Sequence, residues 1–280
     1  NLNLSRNQLV RIHQQAFANL AALQILSLNN NELIGIQSAE LFRHLKNLRE
    51  LSMQANKIMQ IVSGSFKGLN SIRNINLSEN RLTLLPENLF LLTNTLKRLN
   101  LSNNRLQEIS NKQFRSLICL EELDLSSNEL KRIHHATFDA TSKLKKLDLG
   151  DNKIAKLSEN AFMDLENLNT LNLNSNCLSI LPEIVFNDLQ SLIYLSVSEN
   201  HIEQLPTALF QSLSQLKKLE FSQNEIIELP DGLFESLIEL KDLDLSHNKI
   251  KKLSMDVLSP LIKLEVLSLE GNQLEKLESQ

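Results

Sequence analysis

Apolar and polar positions alternate along this chain in a frame that returns every 24 residues. One copy reads Leu120-x-x-Leu123-x-Leu125-x-x-Asn128-x-Leu130; others place Leu144, Leu147, Leu149, Asn152 and Ile154, or Leu240, Leu243, Leu245, Asn248 and Ile250, in the same slots. The Asn recurs as Asn7, Asn31, Asn56, Asn80, Asn104, Asn128, Asn152, Asn176, Asn200, Asn224, Asn248 and Asn272, with ten spacings of 24 and one of 25. Leu-x-Leu has the period of two that a short strand needs, and the Asn then turns the chain out of it. Five residues past the Asn an apolar residue returns (Ile109, Ile133, Leu157, Leu181). Ten residues past it stands Phe17, Phe66, Phe90, Phe114, Phe138, Phe162, Phe186, Phe210 or Phe234, with Phe42 displaced by one. Ten of the eleven Phe therefore serve one slot, and the eleventh, Phe221, fills an inward Leu position and reads as core.

Each repeat is thus expected to give one strand of a parallel sheet plus a return segment. No repeat can bury its apolar face alone, so neighbours must stack and stability becomes a sum of nearest-neighbour interfaces. The Asn is polar yet points inward, which requires its amide to bond otherwise unpaired backbone of adjoining turns.

Composition narrows the class. The chain is 42% hydrophobic, enough for a core, with only six Gly and five Pro and no uninterrupted apolar run of membrane-spanning length. A net charge of −4 does not mark nucleic acid or anionic membrane as a whole-molecule partner, so charge-driven recognition must be local. Two cysteines, Cys119 and Cys177, make no disulfide framework, and more than two repeats separate them, so both are expected as free thiols.

The motif L-x-x-L-x-L-x-x-N-x-L, with a return half of the form L-x-x-x-x-F-x-x-L, resembles the leucine-rich repeat family over essentially the whole length. Its 24-residue period is similar to the "typical" extracellular subclass of Toll-like receptors, Slit-like guidance proteins and leucine-rich adhesion ectodomains. The resemblance implies an α/β-type solenoid of about 12 repeats, a curved horseshoe with a parallel concave β-sheet and an irregular or short-helical convex side. One array over 1–280 is expected, with repeats starting near 1, 23, 48, 72, 96, 120, 144, 168, 192, 216, 240 and 264. Departures are Thr93 and Thr141 in a Leu slot three past the Phe, and a one-residue insertion between Ile36 and Phe42. Extracellular members carry Cys-rich terminal caps that this sequence lacks, so it reads as a segment of a longer protein.

The exposed strand positions are the default binding surface. Repeats three to five present Arg49, Lys57, Arg73, Arg81, Lys97, Arg98 and Arg105, diluted by Glu50 and Glu79; repeat six reverses the sign with Glu121, Glu122, Asp124 and Glu129, and repeat seven is mixed, with Lys145, Lys146, Asp148, Asp151 and Lys153. Rows of like sign, Arg49, Arg73 and Lys97 in one and Lys57, Arg81 and Arg105 in another, repel unless something offsets them. They read either as a bipolar docking surface for a protein, able also to hold a sulfated glycan, or as a solvated face. Tyr194, the only Tyr, falls on an exposed row between Thr170 and Lys218 beside Ile193, and is a candidate anchor. Cys177 and His201 share a position in adjacent repeats, with Glu225 next in the row, but no third group completes a catalytic or metal constellation. Asn3, Asn76 and Asn100 head Asn-Leu-Ser sequons whose glycans would cover part of the basic rows.

No glycine-rich phosphate loop, metal-spaced cluster or nucleophile motif stands out, so no catalytic, cofactor or metal residues are assigned. The expected function is non-enzymatic: a protein-binding segment of an extracellular or cell-surface receptor, Toll-like or related, with a protein ligand, a polyanion at repeats three to five, and dimerisation as a further mode. No membrane contact by this segment is expected. The alternatives are an adhesion or matrix protein and an intracellular scaffold. Replacing one inward leucine, Leu123→Ala, is expected to cost ~2 to 5 kcal/mol; an unfolding free energy from urea denaturation lowered by less than this range would show that the Leu rows do not form the core.

Overall fold

A computed structural model describes residues 1–278, and the chain folds as two compact units. The first comprises residues 1–130 and 137–144, the second residues 131–136 and everything from 145 onward. Both are parallel β-solenoids in which each turn adds one short strand.

In the first unit the sheet runs Leu2–Asn3, Ile25–Ser27, Glu50–Ser52, Asn74–Asn76, Arg98–Asn100 and Glu122–Asp124, every neighbour parallel. In the second it runs Lys146–Asp148, Thr170–Asn172, Tyr194–Ser196, Lys218–Glu220, Asp242–Asp244 and Val266–Ser268, again parallel throughout. The register pairs equivalent residues: Leu147 faces Leu171, then Leu195, Leu219 and Leu243, all buried to within 1% exposure. Each strand centres on the first Leu of the Leu-x-Leu pair, and the second Leu lies just past its end while its N–H still bonds the next turn, as Leu101 does to the Asp124 carbonyl at 2.8 Å.

The turn out of the strand carries the ladder asparagine. Asn128 Nδ2 donates to the carbonyls of Leu101, Leu125 and Ser126 at 3.0, 3.0 and 3.1 Å, and its Oδ1 accepts the Leu106 N–H at 3.0 Å. The same set recurs around Asn80, Asn104, Asn200 and their equivalents. Asn31 to Asn248 are buried, whereas Asn7 is exposed and bonds only the Leu4 and Ser5 carbonyls of its own turn. The residue just before each ladder Asn is left-handed, with φ between 50° and 59° from Arg6 to His247. Such φ costs a residue with a Cβ about 1 to 2 kcal/mol, which the amide bonds must offset. In the last repeat Gly271 takes this place at φ 72°, where a Cβ would collide with the His247 ring.

Behind the Leu rows lie the Phe rings. In the first unit Phe17, Phe42, Phe66 and Phe90 stack in series with centroids 5.8 to 6.2 Å apart, and Phe114 stacks on Phe138 at 6.1 Å. In the second, Phe162 stacks on Phe186, and Phe210 on Phe234, both at 6.2 Å, while Phe221 meets Phe210 edge-on at 5.8 Å from an inward strand position. Offset ring pairs add ~0.5 to 1.5 kcal/mol each beyond burial.

The departures from the frame have local solutions. Thr93 and Thr141 are fully buried, and each hydroxyl donates to the carbonyl of its own repeat's Phe, Phe90 and Phe138, at 2.8 Å. The insertion is absorbed between Ile36, which still pairs with Ile61, and Phe42, which still stacks on Phe66. The return side is mostly turns, with four-residue helices at Asn111–Phe114 and Met255–Leu258. It also carries two-stranded parallel pairs that the sequence pattern did not separate from loop: Gly35–Ile36 with Gln60–Ile61, Arg132–Ile133 with Lys156–Leu157, and Lys252–Ser254 with Lys276–Glu278. Each contains the apolar residue five past the ladder Asn.

Asn128→Ala strands one buried N–H and three carbonyls and is expected to destabilise by about 3 kcal/mol or more, whereas Asn7→Ala is expected to cost under about 1. Urea denaturation of the two variants measures the difference; equal losses would show that the amide's partners in the adjacent turn contribute nothing.

Candidate binding surface

The outward strand residues form the exposed face of each sheet, and the central one has a structural duty. Asn3, Asn76, Asn100, Asp124, Asp148, Asn172 and Asp244 each accept, through Oδ1, the N–H two residues on, at 2.8 to 3.0 Å. This side chain closes the turn before the ladder Asn. Asp124 and Asp148, singled out for ligand binding, therefore each have one oxygen committed to the backbone. Asn76 and Asn100 are half-buried and also accept the Ser78 and Ser102 hydroxyls, whereas Asn3 is exposed. In the second unit, a Cβ on Gly150 would collide with Asn174 Oδ1, the one buried side-chain polar atom among the described residues without a hydrogen-bond partner.

In the first unit the basic rows divide into two kinds. Lys97 Nζ lies 2.6 Å from Glu121 Oε1, Arg98 Nε 3.1 Å from Glu122 Oε1, and Lys57 Nζ 3.2 Å from Glu32 Oε2. The sign reversal expected between repeats five and six is thus bridged by two ion pairs, Lys97 with Glu121 and Arg98 with Glu122. Exposed pairs of this kind contribute ~0 to 1 kcal/mol. Arg49, Arg73, Arg81 and Arg105 are exposed and form no ion pair among the described residues. Arg49 and Arg73 sit one repeat apart, the Arg73 N–H bonding the Arg49 carbonyl at 2.8 Å, and Arg81 and Arg105 follow successive ladder asparagines.

In the second unit Tyr194 pairs in register with Thr170 on one side and Lys218 on the other. Its hydroxyl donates to Glu220 Oε2 at 2.5 Å, Lys218 Nζ lies 2.9 Å from Glu220 Oε1 and 3.5 Å from Asp242 Oδ2, and Ile193 beside it is 40% exposed. Burial and the Glu220 carboxylate push the Tyr194 phenol up to about 12. Burial alone would raise the Glu220 carboxyl, but the Tyr194 hydroxyl and Lys218 outweigh it and hold the group below its ordinary value. The sequence placed Tyr194 beside Thr170 and Lys218 but missed the partner of its hydroxyl, Glu220, for which the next outward position after Lys218 was the signal.

Cys177 is exposed and Cys119 partly so, both free. His201 Nδ1 faces Glu225 Oε1 at 3.4 Å, and Glu225 is held below its ordinary range by its bond to Lys249 Nζ at 2.6 Å. Among the described residues no group of three or more His, Cys, Asp or Glu is placed to hold a metal, and no helix is long and apolar enough to cross a membrane.

A strand-turn-return unit of this kind, stacked through an asparagine ladder, defines a repeat protein with an open sheet face. The chain belongs to the leucine-rich repeat family, whose profile matches residues 1–58, 38–82, 94–154, 142–202, 167–226 and 214–274. Among solved structures it is similar to a TLR13–ssRNA13 complex, at 28% identity over 98% of this chain and 44% of that one, with a TM-score of 0.86. A Drosophila Toll–Spatzle complex shares the fold at 22% identity, 100% and 42% coverage and a TM-score of 0.88; an LRIM1/APL1C complex does so at 24%, 99% and 49%, and 0.84. The chain thus spans less than half the length of each. No curated protein sequence matches it.

The only Tyr, in a chain without Trp, can be titrated by its phenolate absorbance. Glu220→Gln is expected to bring Tyr194 down from about 12 toward 10, the part due to burial remaining. Because the phenol is raised in the fold, its contribution to stability is full below pH 10 and is lost as pH climbs to about 12. An unchanged titration in the variant would remove Glu220 from the account.

Proposed function

We propose that this chain is the recognition segment of a Toll-like receptor ectodomain or a related extracellular or endosomal receptor, binding an acidic protein surface on the sheet face of the first unit. The observation that carries the reading is the set of four exposed arginines, Arg49, Arg73, Arg81 and Arg105, without ion-pair partners on a face whose other basic residues are neutralised by neighbours one repeat away. Arginine offers a planar fork to carboxylates and is enriched where interfaces bind tightly. The frame of the repeats supplies rigidity, so little ordering cost is incurred on docking. The structures it is similar to include a Toll–Spatzle complex and an LRIM1/APL1C complex, which supports protein recognition. The family is one of binding proteins, and the reading is non-enzymatic.

The second reading is a polyanion on the same arginines, favoured by the resemblance to a protein in complex with single-stranded RNA. Against nucleic acid stands the absence of an exposed aromatic for base stacking among the described residues: all eleven Phe are buried and Tyr194, half-buried, is committed to Glu220. A sulfated glycan needs no such platform. Glycans on Asn76 and Asn100 would lie across this face and exclude both readings.

The test is a screen of secreted proteins for binding, with an RNA oligonucleotide and heparin in the same assay, followed by Arg49→Glu with Arg73→Glu. A protein hit weakened about tenfold or more, and increasingly so at low salt, supports the reading. Hits indifferent to the charge reversal, or sugar found on both Asn76 and Asn100 by mass spectrometry after secretion from animal cells, overturn it.

A further inference from the structure

The return edge of the second unit carries a charge pattern that the sheet face does not share. Four residues past the ladder Asn, the side chains form a single column: Arg132, Lys156, Ile180, Gln204, Glu228, Lys252 and Lys276. Arg132 pairs in parallel register with Lys156, and Lys252 with Lys276, so two like-charged pairs stand one strand spacing apart at either end of the column. All four are exposed and none forms an ion pair among the described residues. Elsewhere in the unit Lys241, Lys249 and Lys263 each meet a Glu 24 residues away, at 2.5 to 2.6 Å. Adjacent like charges on paired strands are unfavourable unless an external group neutralises them.

Between the two basic pairs lies an open groove of 510 Å³ with Leu181, Leu205 and Pro206 in its wall and Ile180, 73% exposed, at its lip. Isolated exposed leucines or isoleucines need no explanation, but one at the mouth of a groove flanked by unneutralised cations has the make-up of an anchor pocket. Glu203 at the groove and Glu228 beside Lys252 interrupt the positive charge. A uniform polyanion, glycan or nucleic acid, would run its charge past these carboxylates. A polypeptide can put acidic residues only where the cations are.

We propose that this edge binds an extended polypeptide segment carrying two acidic clusters with an aliphatic side chain between them, the clusters docking on Arg132 with Lys156 and on Lys252 with Lys276, the aliphatic residue against Ile180. Lys156 and Lys252 are four repeats apart, which at ~4.8 Å per strand is roughly 19 Å, or about six residues of extended chain. The edge is separate from the arginine face of the first unit, so failure of one leaves the other standing.

The probe is a displayed library of random peptides long enough to span both basic pairs, selected on the intact protein, with the most enriched peptide then synthesised. Enriched sequences are expected to hold two acidic clusters about six residues apart around an aliphatic residue. Binding should fall about tenfold or more in Arg132→Glu with Lys156→Glu, and separately in Lys252→Glu with Lys276→Glu, by about tenfold in Ile180→Ser, and not at all in Arg49→Glu with Arg73→Glu. All these residues are exposed, and superimposable thermal melts establish that each variant is folded. Enrichment of sequences without the two-cluster pattern overturns the proposal, as does equal binding by a shuffled peptide. Tighter binding of a heparin fragment or an RNA oligonucleotide, indifferent to Ile180→Ser, also overturns it and assigns the edge to a uniform polyanion.

Discussion

One side-chain amide holds this architecture together. In each interior turn the ladder asparagine bonds three carbonyls and one N–H, drawn from its own turn and from the one before it. A strand of only three residues, with a left-handed residue three positions past its end, would leave several backbone groups unpaired in a dry interior. Asn alone combines two donors and an acceptor at the reach needed: Asp would place a bare charge against carbonyls, and Leu would satisfy nothing. The strained φ before it persists because the amide and the parallel register over-determine the turn. The Leu and Phe rows then stack in register because the turns do.

The same constraint reaches the surface. The outward residue between the two leucines is Asn, Asp, Ser or Glu in every repeat, and in seven of them its oxygen caps the N–H two residues on. A row that reads as binding chemistry is partly turn chemistry. Freedom to evolve a ligand site is therefore greatest at side chains that cap no turn: those leading into the strand, such as Arg49 and Arg73, or opening it, such as Tyr194, those just after the ladder, such as Arg81 and Arg105, and the return edge.

Periodicity exposed nearly all of the fold. The strands, the buried Leu and Phe slots, Phe221 in the core and the inward Asn follow from spacing, because each depends on one residue and its own place in the frame. Features that depend on two residues from different turns were less visible. Thr93 and Thr141 looked like defects until their hydroxyls were seen on the Phe90 and Phe138 carbonyls. The paired return strands were hidden because one apolar residue per turn gives no alternation to read. The ion pairs across the sign reversal were hidden because charge counted along a row says nothing of where the ends of Lys97 and Glu121 meet. Tyr194 was named for its rarity, and its meaning lies in Glu220 and Lys218, which pattern alone treated as ordinary surface.

That failure points to a rule for solenoids of fixed period. Residues 24 apart are neighbours by construction, so a charged residue has its nearest partners one turn away rather than three or four residues along. Where a Glu and a Lys at that offset meet, as Lys97 and Glu121 do, the pair screens itself and adds little to recognition. Where it places cation opposite cation, as at Arg49 and Arg73, Arg81 and Arg105, Arg132 and Lys156, or Lys252 and Lys276, the repulsion is a standing cost that the fold does not require. A sequence of net charge −4 has more carboxylates than cations to distribute, so leaving these four pairs unneutralised is not a shortage of acid. The positions where neutralisation was available and absent are the ones from which an outside partner gains most, since its charges displace only water and counter-ions.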